Sequence, residues 1–110
     1  MGRYITTIGT AGATTREIST TYQAVVNDRI LANMACSAFT ITLPVSSGAL
    51  TGDTVQIIDI AGNASSNNIT IGRNGAKING ATEDLVIDVA GAIVSLIYSG
   101  TTYGWIIGAV

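Results

Sequence analysis

Hydrolysis without an imidazole needs a pair of carboxylates, one to hand over a proton and one to attack or to activate water. The chain has no histidine, so Ser-His and Cys-His nucleophile pairs, imidazole acid-base chemistry and histidine-bearing zinc sites are excluded. Of the chain's 7 acids, those weighed for such a pair are Asp53, Asp59, Glu83, Asp84 and Asp88. Gly52-Asp53 and Glu83-Asp84 read as strand entrances, where acids cap or terminate sheets. That leaves Asp59 and Asp88 inside strand patterns, and a small hydrolase using one of them is the only enzymatic reading. The expectation is no enzyme, with no catalytic residue, no metal and no cofactor.

Other motifs resolve into turn chemistry. Asp59 with Gly62-Asn63 offers oxygen atoms to a cation, but the spacing lacks the several carboxylates of a calcium loop and fits an Asx-type turn. Gly72-Arg73-Asn74-Gly75 is not a phosphate loop, because no helix follows to aim its N-terminus at an anion. Cys36 lies among Met34, Ala35, Ala38 and Phe39 and reads as a small buried hydrophobe. It has no second cysteine to pair with. Tyr98, Tyr103 and Trp105 come close across an expected hairpin. They suit a stacking platform for a sugar or the core of a subunit contact, where aromatic residues are enriched.

The elements that carry these residues are strands. Helical periodicity is nearly absent, and short β-branched runs recur between turn signals. Strands are expected at 4–8, 22–26, 29–33, 39–43, 54–60, 68–72, 76–79, 85–89, 92–98 and 103–107. Gly52 and Asp53 mark one turn. Asn74 and Gly75 mark the clearest one, a two-residue hairpin signal because both central positions need positive φ. Residues 1–20 read as a flexible or extended N-terminal arm, because Gly9 to Thr15 are small and polar. Residues 21–110 read as a single β domain. The expected fold is all-β, a compact antiparallel β-sandwich or β-prism-like domain assembling as a trimer, with a short β-helix as the alternative. No fixed period favours a solenoid.

Strand polarity points to partners. In Ala92 to Tyr98, Ile93 and Ile97 face one way while Val94, Leu96 and Tyr98 face the other, so both sides call for cover. Val55 and Ile57, then Ile58 and Ile60, switch faces mid-strand, which suggests a bulge or a strand buried on both sides. Charged residues are 11% of the chain, against about 25% in an average protein. A lone copy would therefore expose apolar surface and tend to associate. The net charge of −2 and the pI near 4.6 argue against a phosphate-neutralising groove, so no nucleic-acid partner is expected. Val89 to Val110 is uncharged, yet glycines and the turn at Ser99-Gly100-Thr101-Thr102 break it, so no membrane insertion is expected. The first residues lack the apolar run of a secretory signal.

The stretch Gly52-Asp53-Thr54-Val55-Gln56-Ile57-Ile58-Asp59, with Gly62-Asn63-Ala64, Asn68-Ile69-Thr70-Ile71, Asn74-Gly75, Ile78-Asn79-Gly80, Leu96-Ile97-Tyr98 and Gly104-Trp105, resembles a module of tailed-bacteriophage virion and tail-fibre proteins. The resemblance covers roughly residues 20 to 110 and transfers no catalytic position. It implies a trimeric, β-rich virion component, often at an exposed tip that meets a host surface. No long stalk repeat or baseplate-attachment domain accompanies it, which leaves room for a capsid-decorating role. The expected partners are further copies of the chain, other virion proteins and a host-surface glycan. The expected location is the virion, after synthesis in the host cytoplasm.

Overall fold

The computed structural model describes residues 14–109. Its strands are β1 (Thr14–Ile18), β2 (Tyr22–Gln23), β3 (Asp28–Ala32), β4 (Phe39–Thr42), β5 (Thr54–Asp59), β6 (Ile69–Gly72), β7 (Leu85–Ile87), β8 (Ile93–Tyr98) and β9 (Trp105–Ala109). They form a five-stranded sheet in the order β1-β3-β5-β8-β9 and a four-stranded sheet in the order β2-β4-β6-β7. The all-β expectation holds, and the two sheets share one core. The strand expected at 4–8 lies outside the described residues.

The sheets are mixed, which corrects the antiparallel expectation. From β1 to β6 the chain changes sheet after every strand. As a result β1, β3 and β5 stack in parallel on one side, and β2, β4 and β6 stack in parallel on the other. This is the winding of a two-sheet β-helix, in which the strand of the opposite sheet serves as the crossover that parallel pairing requires. The remaining strands run antiparallel: β7 on β6, β8 on β5 and β9 on β8. β1 takes up residues 14–18 of the stretch read as an arm and forms one edge of the larger sheet.

Alternation of side chains builds the core. β3, β4, β5 and β6 each bury every second residue, and register stacks like on like: Ile30 beside Ile57, Ile41 beside Ile71, Phe39 beside Ile69. β5 runs without a bulge. Val55, Ile57 and Asp59 point inward, and Ile58 falls on the outer face. Trp105 is the largest fully buried side chain and meets Tyr98 edge-on, with ring centroids 5.2 Å apart and planes at 61°.

Two local expectations change. Asn74 and Gly75 do form a tight turn with positive φ at both positions, closed by Ala76 N–H donating to the Arg73 carbonyl at 3.2 Å. The segment after it does not return along β6, which pairs instead with β7. Of residues 76–79, only Ile78 bridges, to Ala81 and Trp105. Cys36 is exposed. Asn33 Oδ1 accepts the Ala35 N–H at 3.1 Å, and in this turn Met34 is fully buried while Cys36 faces out.

Gly104 is where the 76–80 segment meets the β8–β9 hairpin. Its φ is +73°, and a Cβ there would run into the backbone carbonyl of Lys77, which accepts the Trp105 N–H at 2.8 Å. Gly104→Ala is therefore expected to lose about 2–4 kcal/mol, through the left-handed backbone and the forced shift of a backbone neighbour. Urea denaturation checks this, and Gly91→Ala, where a Cβ meets open space, should lose clearly less.

Candidate interaction surface

The two outer faces differ in chemistry. On the four-stranded sheet the outward residues of β4 and β6 are Thr40, Thr42, Thr70 and Gly72, with Val86 of β7 at the edge. This face is hydroxylated. On the five-stranded sheet, register places outward residues in three rows that run across the strands. One row is Glu17, Leu31, Ile58 and Ile93. The middle row is Thr15, Arg29, Gln56, Ser95 and Gly108. The last is Thr54, Ile97 and Ile106.

The middle row is hydrogen-bonded from strand to strand. Arg29 Nε donates to Gln56 Oε1 at 3.0 Å and Nη1 to Thr15 Oγ1 at 3.4 Å, while Gln56 Nε2 donates to Ser95 Oγ at 3.4 Å. A shallow groove of about 220 Å³ follows this row. The flanking rows carry Glu17 and Thr54 at one end and are otherwise aliphatic, with Ile93 and Ile97 each 45% exposed and Ile106 38% exposed. Sequence reading found the two-sided character of β8. It missed the polar row, because the alternation Arg29-x-Leu31 and Gln56-x-Ile58 gains meaning only once strand order sets these residues side by side.

The residues expected to form an aromatic platform do not share a surface. Tyr98 and Trp105 are core residues, and only Tyr103 is exposed, at 62%. Gly52 and Asp53 form the turn into β5, where Asp53 Oδ2 accepts the Leu50 N–H at 2.8 Å and Gly52 N–H donates to the Tyr98 carbonyl at 2.8 Å. Asn74 anchors its turn by donating from Nδ2 to the Leu43 carbonyl at 2.9 Å.

Two buried carboxylates brace the ends of the sheets. Asp59 is 4% exposed and accepts from the backbone N–H groups of Gly91 at 3.0 Å, Ala64 at 3.0 Å and Asn63 at 3.4 Å. Burial pushes its carboxyl up, but the donors of Gly91, Ala64, Asn63 and Gly62 outweigh that and hold it below the ordinary carboxylate range. Asp88, the other strand-pattern acid, is exposed. At the first coil, Tyr22 donates its hydroxyl to Asp28 Oδ2 at 2.7 Å. Arg16 Nε lies 3.6 Å from Asp28 Oδ1, with its guanidinium over the Tyr22 ring. Burial, the hydrogen bond to Asp28 and the charge of Asp28 push the Tyr22 phenol up to about 12, against the opposing pull of Arg16. Among the described residues no group of His, Cys, Asp or Glu is arranged to hold a metal ion, and no helix is long and apolar enough to cross a membrane.

Comparison with protein-family models and with curated proteins finds no match to this chain.

Because the folded Asp59 binds its proton less readily than the unfolded one, its contribution is complete above the unfolded carboxyl pKa and lost as pH falls through the folded value. Stability should decline from about pH 4 downward. Asp59→Asn should flatten that decline and cost about 1–3 kcal/mol at neutral pH by leaving buried N–H groups poorly paired. Denaturation curves across pH test both. Tyr22 has the opposite sign: its contribution is full below about pH 10 and lost towards about 12. In an alkaline absorbance titration, Tyr22→Phe should remove a late-ionising phenol.

Proposed function

We propose that this chain is a structural protein of a tailed-bacteriophage virion, acting by assembly into a homotrimer as a tail-fibre tip or capsid-decorating component. The observation that carries the reading is the outer face of the five-stranded sheet, where Ile93, Ile97 and Ile106 remain substantially exposed in a single copy. Covering a half-exposed isoleucine is worth about 1 kcal/mol, and register gathers these isoleucines on one face, on either side of the polar row. Closed symmetry satisfies such a patch on every copy at once. The low charge content and the resemblance of the strand-and-turn pattern to phage virion modules support the same reading. Assembly there would place the protein in the particle, beside other virion proteins, after synthesis in the host cytoplasm.

A second reading, recognition of a host-surface glycan, rests on Tyr103, the one exposed aromatic of the expected three. Tyr103→Ala is the informative change for it, because Trp105→Ala would empty the core and cost about 3–5 kcal/mol of stability. Loss of glycan-array binding in a folded Tyr103→Ala protein would favour this reading.

Light scattering coupled to size-exclusion chromatography at micromolar concentration tests assembly. The expected mass is that of a trimer, and Ile97→Lys should weaken association by about tenfold or more while leaving the fold intact, since it buries a charge against hydrocarbon. A wild-type monomer under these conditions would remove the support for assembly.

A further inference from the structure

Resting on the assembly reading, we infer that the outer faces of the five-stranded sheets meet one another around the three-fold axis of the assembly, with Arg29 of each copy paired to Glu17 of the next. Register places these two residues on that face as its charged groups. Neither takes part in an ion pair among the described residues. Arg29 is held only by the neutral side chains of Gln56 and Thr15, and Glu17 accepts only from Asn33 Nδ2, at 3.1 Å.

An occupant that covers Leu31, Ile58, Ile93, Ile97 and Ile106 also removes water from around both charges. A buried charge without an opposite partner is strongly unfavourable. The occupant must therefore bring one anion for Arg29, one cation for Glu17 and aliphatic side chains for the β5, β8 and β9 side of the face. A second copy of this face brings all three. A polyanion would be repelled by Glu17 and offers nothing to the isoleucines, an anionic membrane surface would be repelled by Glu17 and leave it without a cation, and an uncharged apolar partner would leave both charges unpaired. The polar row favours burial too, because Gln56 and Ser95 already bond within the row and ask little of the partner.

Charge exchange tests this pairing. Glu17→Arg, at an exposed edge-strand position, should raise the dissociation constant of the assembly about tenfold or more by setting one guanidinium against another across the contact. Arg29→Glu should do the same by setting two carboxylates against each other. The double variant should restore association to within a few-fold of wild type, and an equimolar mixture of the two single variants, which relieves two of the three contacts of a trimer, should restore it in part. Circular dichroism confirms that each variant is folded, and Glu17→Arg with its rescue in the mixture carries the test should Arg29→Glu fold poorly as a pure sample. A wild-type chain that never assembles overturns the assembly reading itself. A wild-type assembly that is indifferent to Glu17→Arg, or weakened by it and not rescued by the opposite charge, overturns this pairing while the assembly reading stands.

Discussion

Everything in this protein depends on inward-facing aliphatic side chains packing between two sheets that neither sheet could cover alone. A single strand of four to six residues offers two or three such side chains, too few to hold a layer. Stacking Ile30 on Ile57 and Ile41 on Ile71 turns these short offerings into continuous columns. The columns explain the path of the chain, because a parallel neighbour is reached only by passing through the opposite sheet. They also explain the turns, since each crossing needs a compact reversal, supplied by residues with positive φ at Asn27 between β2 and β3, Gly52 between β4 and β5 and Gly62 between β5 and β6.

With the core accounted for, the two outer faces are free to differ, and they do. Threonine on the four-stranded sheet presents hydroxyl groups to water while its methyl packs along the strand. The five-stranded sheet presents hydrocarbon on either side of a bonded polar row. A protein that needed only to be soluble would have no reason to leave one sheet so much more apolar than the other. The asymmetry is what supports the proposed assembly, and it would give a partner a defined side from which to approach.

Much of the strand content was legible in the sequence, because alternation in Phe39 to Leu43 carries its own evidence of one buried side, whereas Ile58 beside Ile57 blurred the same alternation in Thr54 to Asp59. The Asn74-Gly75 turn was legible for the same local reason. What followed it was not, because whether the chain returns along β6 or crosses to Trp105 depends on contacts distant in sequence. The parallel winding was hidden by unequal connections: Thr15 stacks on Arg29, but Arg29 stacks on Gln56, so no repeat length emerges. β1 falls within the expected arm because small polar residues suit both an open terminus and an edge strand. Cys36 misled because its apolar neighbours surround a turn that directs Met34, not Cys36, towards the core. The aromatic cluster misled in the opposite sense. Spacing brought Tyr98 and Trp105 together correctly, but only the position of the second sheet decides that they face inward.

The winding also orders events during synthesis. β1 and β2 bond only to β3 and β4, and β5 gains its second neighbour only when β8 exists. While the ribosome is still producing the middle of the chain, the early strands hold unsatisfied backbone groups and no finished layer to settle on. Distant pairings of this kind are slow and leave nascent strands open to the wrong neighbour. The scarcity of hydrophobic side chains in β1, whose residues are almost all exposed and polar, then acts as protection in time: a strand made well before its partners is little inclined to stick while it waits.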